Sequence, residues 1–135
     1  MLYAILCYKR EDEVFAWTKD EEACVMGALD VVHRKLEGET RFGPSLRLMP
    51  TTTATTLRKD PGAAPVVLDG PFAETKEQLL GFYIMEAEGL DQALDACRQL
   101  AEVNPGGAYE VRPVMMHVPG NALQHDTAAG EPVPA

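Results

Sequence analysis

Hydrophobic positions along the chain switch between two periods, and the switches outline its elements. Leu2–Tyr8 is a near-continuous apolar run, the pattern of a strand covered on both faces. The charged connector REDEVFAWTKD follows and carries the only Trp, Trp17. From Asp20 to Gly38, Met26, Leu29, Val32 and Leu36 recur at spacings of three and four, which predicts an amphipathic helix. Asp20 is its expected N-cap, Glu21 and Glu22 complement the first-turn dipole, and Gly38 is its expected stop. TRFGPSLRLMP predicts a strand broken at Gly43-Pro44, and the Thr-rich TTTATTLRK a further strand or a continuation. DPGAAP predicts a turn, VVLDG a short strand and LLGFYIMEAE a longer one. Leu90, Ala93, Leu94, Cys97, Leu100 and Ala101 then mark the clearest helix, ended by Asn104-Pro105-Gly106-Gly107. AYEVRPV closes the series as a strand, with Tyr109, Val111 and Pro113 on one side and Glu110 and Arg112 on the other. Pro113 lacks an N–H, so this strand is expected to lie at an edge or to finish near Pro113.

The order is β-α-ββ(β)-β-α-β. Two helices suffice to cover one face of an antiparallel sheet, so the expected fold is an α+β, ferredoxin-like βαββαβ plait over residues 1–116. Residues 117–135 are rich in Pro, Gly and Ala without periodicity and are expected to form a flexible tail. The strands LYAILCY and GFYIMEA are apolar on both sides. The sheet face away from the helices therefore calls for a partner, most simply a second copy packed sheet to sheet as a homodimer.

Composition narrows the function classes. Twelve basic against 21 acidic residues give a net charge of −9, without the basic stripe that nucleic acid or an anionic membrane surface requires. The three cysteines are far apart and odd in number, with no Cys-x-x-Cys or Cys/His cluster, so neither disulfides nor a metal are expected. Together with the absence of a signal-like or membrane-spanning run, this points to the cytoplasm. No phosphate-cradling Gly loop or nucleophile elbow occurs, and no cofactor is expected.

The most specific stretch is DGPFAETKEQLLGFY, Asp69–Tyr83, with TATTLRK before it and LDQALDACRQLA and YEVRPV after it. In that order, over about Thr53 to Val114, the chain resembles the DGPF branch of the YCII-related proteins. The resemblance implies a ferredoxin-like chain paired as a dimeric α+β barrel in a small bacterial cytoplasmic protein. It implies a His–Asp pair in a pocket as the group's proposed enzymatic apparatus. It also implies a conceivable regulatory link, because genes of this branch often neighbour those of extracytoplasmic-function sigma factors.

Two residues are the candidate catalytic pair. His33 lies on the flank of the first helix's apolar stripe, where an imidazole can reach the helix–sheet boundary and exchange protons near neutral pH. Asp69 could orient that ring; alternatively its carboxylate serves an Asx-type turn with Gly70 and Pro71. Glu74 and Lys76 either line a pocket mouth or form a solvated cluster, and Thr75 with Gln78 fits a helix-capping pattern. Tyr83 or Tyr109 could point a phenol into a pocket. Arg47, Arg58 and Arg112 are strand residues able to hold a carboxylate. Two functions remain open: a small-molecule-binding dimer with cofactor-free acid–base chemistry, or a non-catalytic interaction or regulatory module.

Overall fold

The computed structural model describes residues 1–121 and 123. The elements are β1 (Leu2–Lys9), α1 (Glu11–Val14), α2 (Lys19–Glu39), β2 (Phe42–Arg47), β3 (Thr55–Arg58), β4 (Val66–Asp69), β5 (Gln78–Glu86), α3 (Leu90–Val103) and β6 (Ala108–Pro113), with a 3-10 turn at Thr51–Thr53. Four strands form one sheet in the order β2-β5-β1-β6, and every pairing is antiparallel. With α2 and α3 packed against one face, this is the expected ferredoxin-like plait, with β6 at an edge. β3 and β4 pair with each other as a separate two-stranded sheet. They are a hairpin arm inserted between β2 and β5.

The strand period divides the sheet's faces. Tyr3, Ile5 and Cys7 of β1 lie opposite Met85, Tyr83 and Gly81 of β5. They also lie opposite Pro113, Val111 and Tyr109 of β6. Tyr3, Ile5 and Met85 pack with Leu29 and Leu36 of α2 and Ala93, Ala96, Cys97 and Leu100 of α3. Ile5, Met85 and Leu100 are wholly buried, each contributing about 1.5–3 kcal/mol of apolar transfer. The alternate set, including Ala4, Leu6, Leu46, Phe82 and Ile84, falls on the face without helices.

Local chemistry moves several boundaries. Thr18, not Asp20, caps α2, because its hydroxyl accepts the Glu21 N–H at 3.1 Å. The helix runs through Gly38, and the Thr40 N–H closes its last turn on the Leu36 carbonyl. Within its stripe, Met26 lies at the exposed flank and Val25 takes a packed position. In α3, Leu90 is exposed and Ala96 joins the core. No helix starts at Thr75: the Gln78 side chain donates to the Thr75 carbonyl at 2.6 Å and accepts the Glu11 N–H at 3.0 Å, stapling this loop to α1. The Glu11 carboxylate in turn accepts from the backbone N–H and hydroxyl of Thr51, fixing the base of the arm. The Val114 N–H bonds the Leu2 carbonyl, carrying the chain one residue past β6. Most of the expected tail, residues 122 and 124–135, lies outside the described residues.

Candidate functional site

Past Ile5, the helix-facing side of β1 continues with Cys7 and Lys9, while α3 has already turned away through Asn104. A cavity of about 210 Å³ remains there. Its floor is Cys7, Lys9, Gly81, Tyr83 and Tyr109 on the sheet. Its roof is Val25, Met26, Leu29 and His33 on α2, and Val14 and Trp17 close one end. Gly81 is required in this floor, because a Cβ would collide with the Leu46 carbonyl oxygen where β2 and β5 approach. A cavity thus lies between the helical layer and the sheet, but the 69–77 loop expected to wall it contributes no lining residue.

The helix position of His33, one turn after the buried Leu29, aims its ring at the sheet. Nε2 lies 3.0 Å from the Tyr83 hydroxyl. The two rings meet edge to face at 5.2 Å, and Phe42 stacks on Tyr83 at 5.2 Å. Burial holds the imidazole below its ordinary pKa, against an opposing pull from Glu37 and Asp30. Burial also pushes the Tyr83 phenol well above its usual value, and Tyr109 and Cys7 up to about 12. At neutral pH the pair is thus a neutral imidazole and a neutral phenol. In the tautomer that leaves Nε2 unprotonated, Tyr83 donates to it.

At the other end, the Lys9 ammonium donates to Asn104 Oδ1 at 2.9 Å and to the Pro105 carbonyl at 2.6 Å. It also lies 4.8 Å from the centre of the Trp17 ring. Burial lowers its pKa, with Glu13 opposing. Arg47 reaches the rim, bonded to Glu22 at 2.6 Å.

The structure brings His33 and Tyr83 together, with Tyr109 in the floor and Arg47 at the rim, and leaves Asp69, Glu74, Lys76 and Arg58 elsewhere. Asp69 is an exposed residue at the end of β4, opposite Thr55, and lines neither this cavity nor the second hollow. Glu74 lines that second hollow with Thr51, Gly70, Pro71 and Gln78; at about 450 Å³ it is larger, but Thr52, Pro71, Ala73, Glu74 and Thr75 of its walls are exposed. Lys76 is exposed on the same loop. Arg58 is on the arm, its guanidinium 5.7 Å from the Phe72 ring and its Nε 3.6 Å from Asp60. Lys9, Trp17 and Asn104 were not expected at a site. Their only advance signal is that Lys9 continues the inward set of β1.

The YCII-related domain matches residues 1–117. The chain belongs to the YCII-related family. An uncharacterised protein of Rhizobium meliloti (strain 1021) is 52% identical over 121 residues, which is 89% of this chain and 97% of that protein. The family match takes in β1 and α2, hence Lys9 and His33, beyond the Thr53–Val114 span of the motif-level resemblance. In this YCII-related chain the DGPF run performs identifiable structural work. Gly70 adopts φ 105°, donates its N–H to the Ala54 carbonyl at 2.8 Å and accepts the Thr56 hydroxyl at 2.7 Å. These bonds tie Gly70 to the start of β3, and the expected Asx-type bond from the Asp69 carboxylate is not among the hydrogen bonds of the described residues.

Proposed function

We propose that the chain is a small-molecule-binding protein whose ligand occupies the cavity between α2 and the sheet, with His33 and Tyr83 as a cofactor-free proton carrier. The observation that carries this reading is the 3.0 Å contact of imidazole and phenol in the cavity wall. In the tautomer whose Nε2–H donates to the Tyr83 oxygen, Nδ1 of the neutral imidazole is free to accept a proton from an acidic C–H or O–H of a bound molecule. The phenol, protonated at neutral pH, can hold the ring through that transfer. Isomerisation and elimination both need only such a proton carrier. Tyr83 takes here the orienting role that Asp69 was expected to fill, and Asp69 belongs to the arm's turn.

The reading includes a homodimer in the cytoplasm. Its support is the apolar set Ala4, Leu6, Leu46, Phe82 and Ile84 on the open sheet face, with Leu46 43% exposed. Self-complementary sheet faces pair about a two-fold axis. Among the described residues no helix is long and apolar enough to cross a membrane, and the three cysteines there are free. A second reading, an interaction or regulatory module of the kind an extracytoplasmic-function sigma factor system would use, draws on the exposed apolar arm.

Trp17, the only Trp, reports on the cavity. Titration with small phenols and ring acids is expected to give a saturable fluorescence change that Val25→Phe, which fills the cavity, abolishes. No saturable response from any of them would sink the pocket reading. For the proton step, solvent-deuterium incorporation into the ring of resorcinol, which passes through a keto tautomer, should exceed background. It should fall about 10²-fold or more in His33→Gln; equal rates would remove His33 from the chemistry.

A further inference from the structure

We infer that the cavity selects a small ring-bearing organic monocarboxylate, with its carboxylate on Lys9 Nζ and its ring between Trp17 and α2; this rests on the pocket reading above. The first observation is charge. Acidic residues outnumber basic ones by 21 to 12 in the chain, yet no Asp or Glu of the described residues lines the cavity, whereas Lys9 and Arg47 both do.

The second observation is how the two cations are held. Arg47 is already bonded to the Glu22 carboxylate. Lys9 is bonded only to neutral acceptors, the Asn104 amide oxygen and the Pro105 carbonyl, and no carboxylate of the described residues lies within ion-pair distance of it. Glu13 acts on it at longer range. An ammonium has three N–H donors. Two fix its position beside the Trp17 ring, 4.8 Å away, which attracts the charge without neutralising it, and the third N–H is left for an anion. A cation fixed by neutral partners is pre-organised without being neutralised, which is the condition for a strong charge-assisted bond to a ligand.

Size and walls supply the ligand's body. An apolar cavity of about 150 Å³ accommodates benzene, so about 210 Å³ leaves room for one ring and a short acidic side chain. Trp17, Val25, Leu29 and Leu80 give the ring apolar contacts. Tyr83 stands level with Ile5, four residues before Lys9 on β1, so about 13 Å of strand separates the two levels. The anion-binding end and the proton-carrying end are therefore at opposite ends of the cavity, and an acid anchored on Lys9 presents its ring toward His33.

The test is isothermal calorimetry on the full chain with 3-phenylpropionate, its uncharged isostere 3-phenylpropionamide, and the cation 3-phenylpropylamine. The acid is expected to bind at least about tenfold more tightly than the amide, with the amine weakest. Lys9→Met should bring the acid to within about twofold of the amide, and Lys9→Arg should keep the preference. Acid and amide binding equally to the unaltered chain would overturn the anion selection and leave the pocket reading standing. None of the three binding would overturn both. An acid preference that survives in folded Lys9→Met would overturn the assignment to Lys9. The comparison of acid with amide on the unaltered chain decides the proposal even if that variant fails to fold.

Discussion

The cavity and the β3–β4 arm are built from similar residues and end in opposite states. In the arm, Leu57, Val66, Val67 and Leu68 sit on a two-stranded ribbon with no helix of the described residues across either side, and all are exposed, Leu57 and Val67 at 66%. At the cavity, Val25, Leu29 and Tyr83 lie between α2 and a four-stranded sheet, and Leu29 falls to 6%. Apolar character alone does not bury a residue; a second layer does. A lone hairpin is marginal in water, and this one depends on its base, where Glu11 grips Thr51 and Gly70 bonds Ala54. The same contrast governs chemistry. Among the described residues, only where two layers meet is a histidine half-removed from water and held against a phenol.

The largest expected effect separates the layered region from the arm. Leu100→Ala should cost about 2–5 kcal/mol in urea unfolding, and Leu57→Ala no more than about 0.5 kcal/mol. Equal costs would mean that the arm is buried in an assembly and would end the contrast. Next, Gly81→Ala should cost about 1–3 kcal/mol, because the added methyl forces β2 away from β5; calorimetric melting of the purified variant would detect it.

A smaller effect concerns pH. Burial holds the folded-state pKa of His33 below 6.5, so between that lowered value and 6.5 the unfolded chain binds the proton more readily. The stability linked to His33 is thus present above 6.5 and is lost as pH falls through the lowered value. Unfolding free energies measured from about pH 7 to about pH 5 should decline, and His33→Gln should flatten part of that decline. An unchanged slope would place the imidazole in water. The smallest effect belongs to the arm's turn. Asp69→Asn should alter stability by about 0.5 kcal/mol or less and leave ring-acid affinity within about twofold, whereas a tenfold loss would return Asp69 to the site.

Much of the fold was legible because period and order are local signals. The apolar run of β1, the helical stripe around Leu29 and Leu36 and the stripe through Cys97 and Leu100 each specify an element, and their order specifies the plait. Pro113 marked the edge strand. The candidate site was half legible. His33 could be placed by its turn relation to Leu29, and Tyr83 was one of two phenols considered. Their contact joins residues fifty positions apart, and no spacing along the chain encodes it. Lys9 and Trp17 were missed because a strand-end lysine and a connector tryptophan look ordinary until the end of α3 brings Asn104 and Pro105 to the ammonium. Asp69–Lys76 drew attention through sequence specificity, but the backbone demands of the turn, Gly70 above all, account for its structural role. Glu74, Lys76 and Arg58 then fall outside the enclosed cavity.

The central claim is that ligand chemistry sits under α2, and side-chain NMR of the labelled protein during titration with 3-phenylpropionate tests it most directly. The account predicts that the Trp17 indole, His33 imidazole and Tyr83 ring signals shift together and saturate, while Thr55, Leu57 and Val67 on the arm stay still. Saturable shifts confined to the arm and the 69–77 loop, with His33 and Trp17 unmoved, would contradict it.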